Sequence, residues 1–292
     1  MTAYLVLLTL AFVQPLARLM IHAAGSDLHS HILLVPVISA YLLYSRRTTL
    51  PAAGLRATGW GALLAGIGLA ALGAGIWWRE SLSPNDGLAL MAVAYVSLLA
   101  AGGFLFRGSK WMAAAAFPFA FLVFIVPLPD GAVNWLERAS AAASAEAAAV
   151  YFAAAGTSLV RNGPVFELPG FVMEVAKECS GIRSSWVLLI TSVLAANLFL
   201  ESPWRRLVLV AFVIPLGILR NGFRVFVIGQ LCVHVGPHMI DSIIHRQGGP
   251  LFFALSLVPL FLLLWWLRRG ERPRAGLPST PRVIEGGGGR PR

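Results

Sequence analysis

Apolar runs about as long as a bilayer is thick recur along this chain, and nothing else in it limits the fold so severely. They fall at about residues 3–21, 57–78, 86–106, 111–127, 181–200, 207–231 and 250–267. About 20 helical residues cross a hydrocarbon layer roughly 30 Å thick. An eighth run, about 30–45, is shorter and carries Pro36, but Arg46 and Arg47 close it. Of the 292 residues, 58% are hydrophobic and only 12% charged, with a mean hydropathy of +0.75. That composition excludes a water-soluble globule and leaves no room for a large soluble domain. The expected fold class is all-α: a polytopic integral membrane helical bundle of about eight transmembrane helices over residues 1–267. A Pro-, Gly- and Arg-rich tail over 268–292 is expected to be disordered and to favour anionic headgroups. No Lys or Arg precedes Arg18, so the N-terminal run reads as the first span and not as a cleaved signal peptide.

The formal net charge is +10. In a soluble protein this would point to nucleic acid, but in a membrane protein a basic excess is first a topological signal. With eight spans and a cytoplasmic N-terminus, the inner segments are 46–56, 107–110, 201–206 and the tail. They hold 14 of the 23 Lys and Arg residues and three of the 13 acids. Such an asymmetry predicts cytoplasmic termini in the inner membrane, with no nucleic-acid partner.

Between the fifth and sixth runs, residues 128–180 are the least membrane-like part of the body. An Ala-rich helix is expected over about 133–155. Its Glu137, Arg138 and Glu146 place it at the outer interface or in a re-entrant position, and Asn162-Gly163-Pro164 predicts a turn within a short hairpin. Glycines 61, 66, 68, 73 and 75 in the third run permit close helix packing. Two cysteines, Cys179 and Cys232, cannot make a disulfide framework.

Few residues bear chemistry. Arg220 and Arg224 lie four apart within an apolar run, on one helical face. Burying like charges there costs roughly 2.5 kcal/mol or more each at mid-bilayer, which points to function or a partner; the competing reading is snorkelling to the outer headgroups. Cys179 stands at the outer mouth of the sixth run, flanked by Glu178, Lys177 and Arg183. A helix N-terminus favours a thiolate and can hold an oxyanion, although a solitary Cys is more often a packing residue. Cys232, inside an apolar run, reads as packing. His234, His238 and His245 follow the seventh run. Gly236-Pro237 interrupts the helix that would align the first two and there is no HExxH, so no metal site is expected and no cofactor is implied. Topology puts Cys179, Arg224 and His245 in one leaflet: a nucleophile, a cation and an acid/base that titrates near neutrality.

Glu178-Cys-Ser-Gly-Ile-Arg183, Asn221-Gly-Phe-Arg224 and His245 followed by Gly248-Gly249 together resemble the exosortase/archaeosortase family of membrane transpeptidases, in its bacterial exosortase form. The resemblance extends over about residues 30–267, including Leu33-Leu-Val-Pro36 and Ile125-Val-Pro-Leu-Pro129. It implies Cys179 as nucleophile, Arg224 as the active-site arginine and His245 as the histidine, with no role for Arg220. It also implies substrates that are secreted proteins ending in a C-terminal sorting signal: a Pro-Glu-Pro-like motif, a transmembrane helix and a basic end. The expected partners are therefore those signals and membrane lipid. An intramembrane cysteine protease that releases its product to water would use the same thiol. An anion-binding transporter would use Arg220 and Arg224, but the inverted repeats of that class are weak or absent.

Overall fold

The computed structural model describes residues 1–174, 181–241 and 249–271, and it is helical almost throughout. The first apolar run is broken into α1 (Thr2–Ala11) and α2 (Val13–Ala24), bent by 67°. The cause is Pro15, which has no N–H for the Ala11 carbonyl and whose ring crowds that carbonyl. A 3₁₀ turn, Ser30–Leu33, leads into α3 (Val35–Ser45), with Pro36 in its first turn, where a missing N–H costs nothing. The antiparallel pair α4 (Thr58–Trp77) and α5 (Pro84–Arg107) follows. Its contact surface uses Gly61, Gly68 and Gly75, one every seven residues: a Cβ there would fall 2.6–2.8 Å from Leu105, Leu98 and Met91. Gly66 and Gly73 have nothing within 4 Å, so only three of the five expected glycines serve close packing.

The run at 111–127 is also fragmented, into α6 (Ser109–Ala114), α7 (Ala116–Phe121) and a 3₁₀ turn, Leu122–Ile125. Here Pro118 stands four residues after Ala114, repeating the relation of Pro15 to Ala11. Next come α8 (Asp130–Ala154) and a three-stranded antiparallel meander, β1 (Val160–Asn162), β2 (Val165–Leu168) and β3 (Phe171–Glu174). Gly163-Pro164 and Pro169-Gly170 make its two-residue loops, with both glycines at positive φ. The expected hairpin thus gains a third strand. Finally, α9 (Ile182–Phe199), α10 (Pro203–His234) and α11 (Gly249–Arg269) pack on one another. The last helix runs two residues into the segment assigned to the tail; residues 272–292 lie outside the described residues.

Among the described residues, five helices are long and apolar enough to cross a membrane, or seven if each bent pair counts as one span. The expected count of about eight includes the short run at 30–45, which is the shorter apolar helix Ser30–Ser45. Exposed tryptophans form two belts, Trp60, Trp204, Trp265 and Trp266 at one end and Trp77, Trp78 and Trp135 at the other, as membrane interfaces favour.

Direct bonds gather the Arg-rich loops at one end of the bundle. Arg46 donates to Asn197 Oδ1 (3.2 Å), the Gly54 N–H to the Arg107 carbonyl (3.0 Å), and Arg205 to the Leu267 carbonyl (3.0 Å). The Glu271 carboxylate accepts the backbone N–H groups of Glu201 and Ser202, capping α10. Burial acts to raise the Glu271 pKa, but those two N–H bonds with Arg205 and Arg206 hold it below the ordinary carboxylate value. A depressed folded-state pKa contributes stability above the unfolded value and loses it as pH falls through the folded one. Glu271→Gln should therefore lower the unfolding temperature at pH 7, and the difference from wild type should vanish on acidification below the usual carboxylate range.

At the opposite end stand Gly181, the loop before α3 and the start of α8. Asn85 Nδ2 donates to the Leu128 carbonyl (2.7 Å) and to Asp130 Oδ1 (2.8 Å), and Arg183 pairs with Asp27 (2.9 Å). From Asp130, α8 crosses this end and packs its second half on residues 219–229 of α10. The interface is small on both sides: a Cβ on Gly222 would meet Ala147 Cβ at 2.6 Å and backbone atoms of Ser144 and Ala148 at 3.0 Å. Backbone cannot move aside, so Gly222→Ala should destabilise the purified protein by about 1–3 kcal/mol, read as a lower thermal midpoint in detergent. The meander covers the same region, with Phe152, Phe166, Leu168, Met173 and Val225 in one core.

Candidate active site

The site region is organised by α10. Its 32 residues make a helix about 48 Å long, well beyond the thickness of a hydrocarbon layer. Counted from Pro203, Arg220 stands about 25 Å along it, near the middle, and Arg224 about 32 Å, in the half away from the Arg-rich loops.

Gly181 starts α9 in the left-handed conformation (φ +69°), a turn for which glycine is the ordinary residue. Its carbonyl accepts three donors: the Ser185 N–H (3.0 Å), Ser184 Oγ (3.1 Å) and Arg220 Nη2 (3.1 Å). The first two belong to α9 itself; the guanidinium comes from α10. The same Nη2 donates to Ser185 Oγ at 3.0 Å. Asn221, 2% exposed, covers the other side of the turn, so a Cβ on Gly181 would lie 2.8 Å from its Oδ1. Gly217, one turn earlier on α10, lets Ser185 approach within the space of a missing Cβ (2.8 Å).

Arg220, to which the sequence assigned no role, is thus 7% exposed and turned inward. Among the described residues no carboxylate lies within 4 Å of it, so neutral acceptors hold a buried cation. Snorkelling to a headgroup is overturned for this residue by its burial and its bonds to α9. Arg224 is half-buried on the same face one turn on. Between them, the Phe223 ring meets Phe252 edge-to-face at 6.3 Å, joining the first turn of α11 to this stretch of α10. Residues 220–224 therefore touch both the helix that follows Cys179 in sequence and the helix that follows His245. Cys179 and His245 themselves lie outside the described residues.

Other candidates fall elsewhere. Cys232 is buried in α10, His234 is its last residue, and His238 lies in a 3₁₀ turn, Pro237–Asp241. Among the described residues no three His, Cys, Asp or Glu side chains are grouped to hold a metal. His29, between α2 and the 3₁₀ turn before α3, has its pKa pushed down to about 4 by burial, reinforced by His22 and His31 and opposed by Asp130. It is neutral at pH 7 and has no imidazolium proton to give. The role of Arg220 could not be read from sequence, because its partner is a backbone carbonyl 39 residues away. The only hint was a cation on an apolar face one turn after Gly217.

A helical membrane bundle whose long helix carries a buried and a half-buried arginine one turn apart is the class of protein defined so far. Residues 22–262 match the family of transmembrane exosortases, and the chain belongs to that family. No curated protein and no solved structure matches it. Family membership makes it a multi-pass membrane transpeptidase of the exosortase kind.

Proposed function

We propose that the protein is a cysteine transpeptidase that cleaves C-terminal sorting signals of secreted proteins and passes them to an acceptor at the outer face of the inner membrane, with Cys179, Arg224 and His245 as its catalytic residues. The observation that carries this is the convergence on residues 220–224 of α10: Gly181 is bonded to Arg220, and Phe252 packs on Phe223. Cys179 precedes Gly181 by two residues, no more than about 7 Å of chain, and His245 precedes Gly249 by four, no more than about 14 Å. The orientation follows from the Arg-rich loops, which lie at the end away from this site and which the positive-inside rule assigns to the cytoplasm.

On this reading the Cys179 thiolate attacks a peptide carbonyl just outside the substrate's membrane helix, forming a C–S bond and a tetrahedral oxyanion. Arg224 faces the negative charge that develops on that oxygen. The C–N bond breaks as the His245 imidazolium gives its proton to the departing amine, leaving a thioester on Cys179. His245 then takes a proton from the acceptor nucleophile. The acceptor adds to the thioester carbonyl, the C–S bond breaks, and the thiolate is restored. On this reading the tail expected over 268–292 is on the cytoplasmic side.

The test is processing of a reporter with a Pro-Glu-Pro-like motif, an apolar helix and an Arg cluster, followed on gels and by product mass. Cleavage should stop in Cys179→Ala and in Cys179→Ser. In the wild type the new C-terminus should carry the mass of an added group. A product ending in a free carboxylate would mean hydrolysis without transfer. Normal cleavage in Cys179→Ala would overturn the assignment of the nucleophile.

A further inference from the structure

We propose that Arg220 is a positioning residue for this site: its guanidinium ties the Gly181 carbonyl, and with it the turn that follows Cys179, to α10 one helical turn from Arg224. The inference rests on Cys179 being the nucleophile, and it assigns a part to a residue outside the motif that carries the family resemblance.

Three observations point the same way. Arg220 Nη2 makes the bond that crosses from α10 to Gly181 O, and it reaches Ser185 Oγ as well, so one nitrogen fixes both the start and the first turn of α9. Gly217 and Gly181 clear the space that makes this reach possible: a Cβ on Gly217 would sit 2.8 Å from Ser185 Oγ, and one on Gly181 would sit 3.2 Å from Arg220 Nη2. Finally, Arg220 is a poor choice for packing alone. Its Nη1 is buried and has no hydrogen-bond partner among the described residues, and no carboxylate there neutralises the charge. An unbranched apolar side chain would fill the same volume without the desolvation cost. What an apolar side chain cannot do is hold a carbonyl in a fixed place, and two residues from a nucleophile a displacement of about 1 Å matters to turnover.

The positioning role predicts a separation of turnover from stability. In a Cys232→Ala background, which leaves Cys179 as the only thiol, Arg220→Met and Arg220→Lys would be purified in detergent and checked for a monodisperse fold. Arg220→Met should lower kcat on the reporter peptide at least tenfold with KM changed less than twofold. The rate of Cys179 alkylation by iodoacetamide, followed from pH 6 to 10, should change at least threefold at pH 7. Its thermal midpoint should stay within a few degrees of the parent. Arg220→Lys, which keeps one donor, should recover part of both rates. Parental kcat and a parental alkylation profile in Arg220→Met would overturn the proposal. So would a loss of activity fully accounted for by the fraction of protein that fails to fold, and if Arg220→Met does not fold at all, the same criteria apply to Arg220→Lys. Cys179→Ala separates the two failures. If it still processes the reporter, the nucleophile assignment falls; if it is inactive while Arg220→Met behaves like the parent, only the positioning role falls.

Discussion

Arg224→Ala is expected to reduce the turnover of a sorting-signal reporter by about 10²- to 10³-fold, the usual cost of removing one donor from a developing oxyanion. KM should move much less, because on the proposed function the charge that Arg224 meets exists only in the transition state. The size of the effect follows from where the residue sits. It is half-buried, about 32 Å along α10 by helical rise, and a hydrocarbon layer is roughly 30 Å thick. On the proposed function, a guanidinium at that depth is shielded enough for its field to be strong and still near the outer surface. Arg224→Lys should recover a tenth or less of the lost rate, since a point charge does not reproduce the guanidinium fork. Initial rates over a range of reporter concentrations decide it, and an effect on KM alone would mark Arg224 as a binding residue only.

Gly181→Ala should be nearly as damaging, for a reason that lies in the backbone. At φ +69° an alanine costs about 1–2 kcal/mol, and its Cβ would press on Asn221 Oδ1 and Cγ at 2.8 and 2.9 Å and on Arg220 Nη2 at 3.2 Å. Asn221 is 2% exposed and cannot swing away, so the strain moves the turn. At least a tenfold loss of processing is expected, with the protein still inserted and a thermal midpoint lower by several degrees. Gly163→Ala carries the same kind of backbone strain (φ +60°) in a β-turn with open space around it, and should lower stability with little effect on turnover. Similar losses of turnover in the two variants would mean that the first acts through stability alone.

What the chain shows of itself before folding divides along physical lines. Length and apolarity mark the spans, because they answer to the bilayer and not to any neighbour. The breaks at Phe12 and Ala115 were also within reach, three residues ahead of Pro15 and Pro118, yet apolar content hides them when runs are scanned for hydropathy alone. Which glycines pack is a matter of faces: Gly61, Gly68 and Gly75 line one side of α4, while Gly66 and Gly73 do not. The third strand, Phe171–Glu174, was missed because four residues carry too little pattern, although Pro169-Gly170 marks its turn. Arg224 can be singled out as a candidate by its motif alone. The burial of Arg220 cannot be read so, since it depends on a carbonyl that only the tertiary fold brings to it.

On the proposed function the substrate's acyl group passes through Cys179 as a thioester. The most direct measurement of this is mass spectrometry of the purified enzyme quenched in acid during turnover of a reporter peptide. A Cys179-containing fragment should gain the mass of the reporter's N-terminal fragment, counted as its free acid, less water, and hydroxylamine should remove that mass, as it does from a thioester. Processing at the normal rate with no adduct on Cys179, and undiminished in Cys179→Ala, would contradict the account.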